Sequence, residues 1–96
     1  MNHDLIGTNV IIRSSASGVW HGQLEATEGE TCTLSQARRI WNWEGAASCS
    51  GLATHGPKAG KIPAPVPTAI INGVCEILSC TDEATARIEG IESWVA

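Results

Sequence analysis

Two arginines and two tryptophans stand within a six-residue span, Arg38-Arg39-Ile40-Trp41-Asn42-Trp43. A guanidinium holds carboxylate or phosphate through paired N–H groups, and an indole stacks on flat rings or cations. Gly45-Ala46-Ala47-Ser48 follows at once and is expected to begin a short helix. Free N–H groups at such a helix start can take an anion, with Arg38 or Arg39 adding charge. The candidate interface or ligand-binding residues are therefore Arg38, Arg39, Trp41, Trp43, Gly45 and Ala46. A competing expectation is that Glu44 fills the helix end and pairs with an arginine. Trp and Arg are also the residues most enriched at interface hot spots.

Other chemistry has weaker support. Cys49 and His55 do not have the spacing of a catalytic dyad: six residues on a helix leave them about 120° from facing each other. No Gly-x-Ser-x-Gly elbow, dinucleotide fingerprint or Walker loop is present. Cys75 and Cys80, with Cys49, His21 and His55 elsewhere, lack the tight ligand spacing of structural zinc sites. Buried free thiols and exposed imidazoles are expected instead, with Cys32 and Cys75 in the core. No catalytic residue, metal or cofactor is assigned, and the chain is read as not an enzyme.

These residues must be positioned by one domain, since 96 residues suffice for no more. Charged residues are 17%, below the roughly 25% of ordinary domains. So little charge fits a surface partly covered by a partner, often a second copy, or a small monomer rich in Ser, Thr and Gly. The net charge of −4 argues against non-specific nucleic-acid binding. No apolar run approaches the roughly 20 residues of a membrane span. Met1-Asn2-His3-Asp4 opens without a basic, then apolar, leader.

Asn9 to Arg13 reads as a strand. Val19 to Ala26 alternates, with Trp20, Gly22, Leu24 and Ala26 on one face and Val19, His21, Gln23 and Glu25 on the other. Thr31 to Ser35 completes an antiparallel meander. Arg38 to Trp43 is expected to be a further strand, with Arg39, Trp41 and Trp43 on one face and Arg38, Ile40 and Asn42 on the other. Trp20 is expected in the core, and one of Trp41 and Trp43 at the surface. Cys49, Leu52 and Ala53 form the stripe of a short helix that stops at Gly56-Pro57. Residues 56 to 67 hold all four prolines and read as a stiff arm across the domain or onto a neighbour. Asn72-Gly73 between two apolar runs predicts a β-hairpin. Thr81 is placed to cap a second helix with Arg87 in its last turn and Gly90 after it. Ile91 to Val95 is expected to close as a strand. The fold class is α+β: a small antiparallel sheet or partly open barrel of about five to seven short strands, with one or two short helices.

The order of these signatures carries a resemblance. Gly22-Gln23-Leu24, Leu34, Ala37-Arg38-Arg39-Ile40-Trp41-Asn42-Trp43 and Gly45-Ala46-Ala47-Ser48 are followed by Leu52-Ala53, Gly56, Pro65-Val66-Pro67, Glu76-Ile77-Leu78, Thr81 and Trp94. From about Val10 to Trp94 the chain resembles a family of small uncharacterised proteins of tailed bacteriophages and prophages. The resemblance implies a context and no mechanism: synthesis in the host bacterial cytoplasm and, for a particle component, a place in the virion. Two functions are carried forward. The first is a self-associating structural or interaction protein whose partners are its own copies and other phage proteins. The second is an intracellular accessory protein that binds a host factor or an anionic, phosphorylated or nucleotide-like small molecule.

Overall fold

A computed structural model describes residues 4–95; the leader reading at the extreme N-terminus falls largely outside them. Strands β1 (Asn9–Ser14), β2 (Gly18–Glu28) and β3 (Thr31–Ile40) form the expected meander. Two further strands, β6 (Val66–Ile71) and β7 (Val74–Ser79), complete an antiparallel sheet of order β6-β3-β2-β1-β7. A separate two-stranded sheet pairs β4 (Asn42–Glu44) with β5 (Ala59–Lys61). Helices α1 (Cys49–Thr54) and α2 (Asp82–Gly90) complete a small α+β domain without a closed barrel.

Both faces of the main sheet are buried where β1 runs. Val10, Ile12, Trp20, Leu24, Cys32, Leu34, Ala37 and Ile71 fill one core, inside the curl of the sheet. Ile11 and Ile40 join Leu52, Ala53, Ile62 and Ile88 in a second core, beneath the helices. Consecutive apolar residues Val10-Ile11-Ile12 therefore serve both layers, as a strand covered on two sides requires. The helices are tied to each other at Thr81. Its N–H donates to the Ala53 carbonyl at 2.9 Å and its hydroxyl to the Thr54 carbonyl at 2.7 Å. That hydroxyl also accepts from the Ala84 N–H, capping α2.

Three local expectations are corrected. Asn72-Gly73 does not join a hairpin: β6 pairs with β3, and β7 pairs with β1 on the opposite edge. Both strands run antiparallel to the β1/β3 direction, so β6 and β7 act as one kinked strand running from edge to edge. The kink is held by tertiary bonds. The Ser14 hydroxyl donates to the Asn72 carbonyl, the Ser15 N–H to the Gly73 carbonyl, and the Val74 N–H to the Glu30 carbonyl. Gly73 supplies the positive φ of 66° that the kink needs.

Secondly, the strand expected from Arg38 to Trp43 is two strands in two sheets, interrupted at Trp41. Thirdly, Ile91 to Val95 forms no strand; the Trp94 N–H instead donates to the Ile62 carbonyl. The proline-rich segment crosses the domain itself, with Ile62 buried in the second core.

Candidate functional site

A β-bulge decides where the arginines go. His21 pairs with Arg38, but Gln23 pairs with Ser35, so β3 carries one extra residue in this interval. Gln36 sits there with a left-handed φ of 49°. Before the bulge, Cys32 and Leu34 face the first core; after it, Ala37 does, and Arg38 and Ile40 turn to the helix-covered face. Arg39 is left on the opposite face from Arg38.

Arg38 is 5% exposed, and backbone carbonyls surround it. Nε donates to Pro63, Nη1 to Ile88, and Nη2 to both Ile62 and Ile91, at 2.7–3.0 Å. The cation thus ties the proline-rich segment and the C-terminal end of α2 to the sheet, where the helix dipole favours positive charge. Burial pulls its pKa down and Glu89 acts in the opposite direction. Four of its five N–H donors are spent inside the protein.

His21 lies beside it. Instead of the exposed imidazole that was expected, it is 2% exposed, because the terminus of α2 and the chain after it cover this face of β2. Its Nε2 has no hydrogen-bond partner in the protein. Burial, then the Arg38 charge, push the imidazole down to about 4, so it is neutral at pH 7. The two-sided apolar run in β1 was the available signal, since Ile11 is the direct neighbour of His21. His21, Gln36 and Arg38 line a cleft of about 310 Å³ with Asn9, Glu89 and Ser93 at its polar wall.

Arg39 and Trp41 meet at another place. They line a groove of about 360 Å³ with Ser17 of the β1–β2 turn and Gly18 and Val19 at the start of β2. The Arg39 guanidinium lies 4.4 Å from the centroid of Trp20, and its Nη1 donates to the Ser17 carbonyl at 3.0 Å. Trp41 is 63% exposed. Behind it stands Trp94, parallel within 5° and 6.5 Å away between centroids, with Lys61 Nζ 5.5 Å from the Trp94 ring.

The remaining candidates belong to the scaffold. Trp43 packs against the second core, and its indole N–H donates to the Ala46 carbonyl at 3.0 Å. Gly45 holds φ at 92°, and a Cβ there would come within 2.6 Å of the Lys58 side chain. The helix begins at Cys49 rather than at Gly45, and Ser48 caps it by accepting from the Gly51 N–H. Glu44 neither caps the helix nor pairs with an arginine: the ion pairs among the described residues are Arg13–Glu76 and Arg87–Glu83. Arg38, Arg39 and the Gly45-Ala46 turn therefore do not converge on one anion site.

All four cysteines are free. Cys32 is buried as expected, whereas Cys75 is exposed on edge strand β7. Burial raises the thiol pKa of Cys32, Cys49 and Cys80, which keeps them protonated. No group of three His, Cys, Asp or Glu among the described residues is arranged to hold a metal ion. No helix among the described residues is long and apolar enough to cross a membrane.

The fold defines a small α+β domain with a buried arginine clamp and an exposed Arg–Trp groove. A family model described as Domain of unknown function (DUF6948) matches residues 7–88, and the chain belongs to that family. No curated protein and no solved structure matches it significantly.

Proposed function

We propose that this chain is a non-enzymatic, self-associating interaction protein whose contact surface is the β6 edge. The observation that carries this reading is the absence of charge along that edge. No charged residue occurs between Lys61 and Glu76. Within this stretch β6 presents Ile70, 69% exposed, and Val66, 43% exposed. The opposite edge, β7, carries Glu76, ion-paired to Arg13 at 3.2 Å. Charge on an edge strand prevents pairing with other chains, and β6 lacks that protection.

A second copy is the occupant that fits. Each chain carries net charge −4, and an uncharged edge lets two copies meet without like-charge contacts at the interface. An edge strand paired antiparallel about a twofold axis complements itself. Pro67 has no N–H to offer, so backbone pairing is confined to the residues beyond it. The phage resemblance extends the proposal: such a dimer docks on other virion proteins.

Sedimentation velocity over a concentration series tests the first part. A dimer that Ile70→Lys converts to a folded monomer supports it; a wild-type monomer at high micromolar concentration overturns it. Mass spectrometry of purified particles tests the virion role, which absence of the chain would sink.

A further inference from the structure

Beyond self-association, we infer that the Arg39–Trp41 groove binds a mononucleotide, with the base stacked on Trp41 and the phosphate on Arg39. The groove and the β6 edge use different residues, so either assignment can fail alone.

Three observations converge on this ligand class. First, Trp41 is 63% exposed, whereas Trp20 is buried and Trp43 and Trp94 are half-buried. Its ring is backed by a parallel Trp94, which in turn carries Lys61 against it. The parallel contact with Trp94 restrains the indole, so less side-chain freedom remains to be lost when a flat ring stacks on it.

Second, Arg39 is exposed and has no carboxylate partner among the described residues, in a chain with ten acidic and six basic residues. One N–H is fixed on the Ser17 carbonyl and the guanidinium face rests on Trp20. The guanidinium is thereby oriented while its other N–H groups stay free for an anion. Phosphate matches that fork geometry.

Third, the two groups line one groove of about 360 Å³, a volume at the lower end of the roughly 300–1,000 Å³ of small-molecule sites. Ser17, at the end of the β1–β2 turn, and Gly18 and Val19, at the start of β2, line its other side. A net charge of −4 disfavours a long polyanion and tolerates a ligand carrying one phosphate.

Titration of the ¹⁵N-labelled full chain with AMP, read at the indole N–H signals and by calorimetry, tests the assignment. Adenosine supplies the ring alone and ribose 5-phosphate the anion alone. The expected result is saturable AMP binding that shifts the Trp41 indole signal, with each half-ligand weaker by about tenfold or more. Trp41→Leu is expected to lose about tenfold in AMP affinity, and Arg39→Gln a similar factor for AMP but not for adenosine. Arg39→Lys keeps the charge without the fork and is expected to fall between. No response to millimolar AMP overturns the proposal, as does AMP binding that is undiminished in Trp41→Leu. A short single-stranded oligonucleotide that binds far more tightly than AMP would replace the free nucleotide with a nucleic-acid strand and overturn the assignment as stated.

Discussion

His21 on β2 stands directly opposite Arg38 on β3, and both side chains are buried on the helix-covered face of the sheet. One is a neutral imidazole with an unpartnered Nε2; the other is a cation held by four carbonyls. The pair is asymmetric in its demands. Arg38 must stay charged to hold its carbonyls, and that charge helps keep His21 neutral.

Arg38 is expected to dominate the stability of the α2 terminus and the proline-rich segment. Arg38→Leu strands four carbonyls and should cost about 3–5 kcal/mol. Arg38→Lys retains the charge but not the planar fork, and should cost about 1–3 kcal/mol. Urea unfolding measures both. A cost below about 0.5 kcal/mol for Arg38→Leu would show that these bonds do not hold the fold together.

His21 makes the fold sensitive to acid. Its folded pKa is about 4, below the ordinary 6.5. Above pH 6.5 the imidazole is neutral in both states and stability is at its full value. As pH falls from 6.5 towards 4 the unfolded chain takes up a proton that the folded one refuses, so stability is lost across that window. The loss is about 3 kcal/mol, complete once the pH is below the folded value. His21→Leu removes the titrating group and the unpartnered nitrogen, and its stability profile from pH 7 to pH 4 should be flatter by that amount. Denaturant midpoints at matched pH values check it; parallel profiles for the two proteins would rule it out.

The bulge at Gln36 stores strain, since a left-handed conformation costs an L-residue about 1–2 kcal/mol. Gln36→Val should therefore destabilise by about 1–2 kcal/mol more than Gln36→Asn, which tolerates that region. Equal thermal midpoints for the two variants would show that the backbone there is free to relax.

Ile70→Lys separates assembly from folding. The side chain is 69% exposed, so the substitution should change monomer stability by no more than about 0.5 kcal/mol while abolishing association. Light scattering and thermal unfolding on the same sample read both. Loss of folding together with association would show that Ile70 belongs to the core of the monomer.

Much of the fold is legible in the residues. A short apolar run predicts β1, alternation predicts β2 and the start of β3, and the Cys49–Leu52–Ala53 stripe and the Thr81–Arg87 signals place both helices. Those signals are local: they depend on neighbours within a few residues. The Asn72-Gly73 reading fails because a turn signal specifies a bend and not the strand's partner. Ser14, Ser15 and Glu30 supply the competing hydrogen bonds. Of the candidate site, Arg39 and Trp41 do share one surface. The burial of Arg38 and His21 is not legible, because it depends on a covering segment that lies far from them along the chain, at Ile62, Pro63, Ile88 and Ile91.

The sequence by itself determined that this is one small α+β domain, that it is poor in charge, and that two of its four tryptophans and two of its six basic residues meet at one junction. Composition and short-range periodicity carry that information. Only the tertiary structure decided which arginine is a buried clamp and which is exposed at a groove. The bulge at Gln36 turns Arg38 towards the helices and leaves Arg39 beside Trp41, and one extra residue in a strand reverses which side chains face inward. Two adjacent identical side chains were thereby given unrelated surroundings, a difference that residue type and spacing could not express.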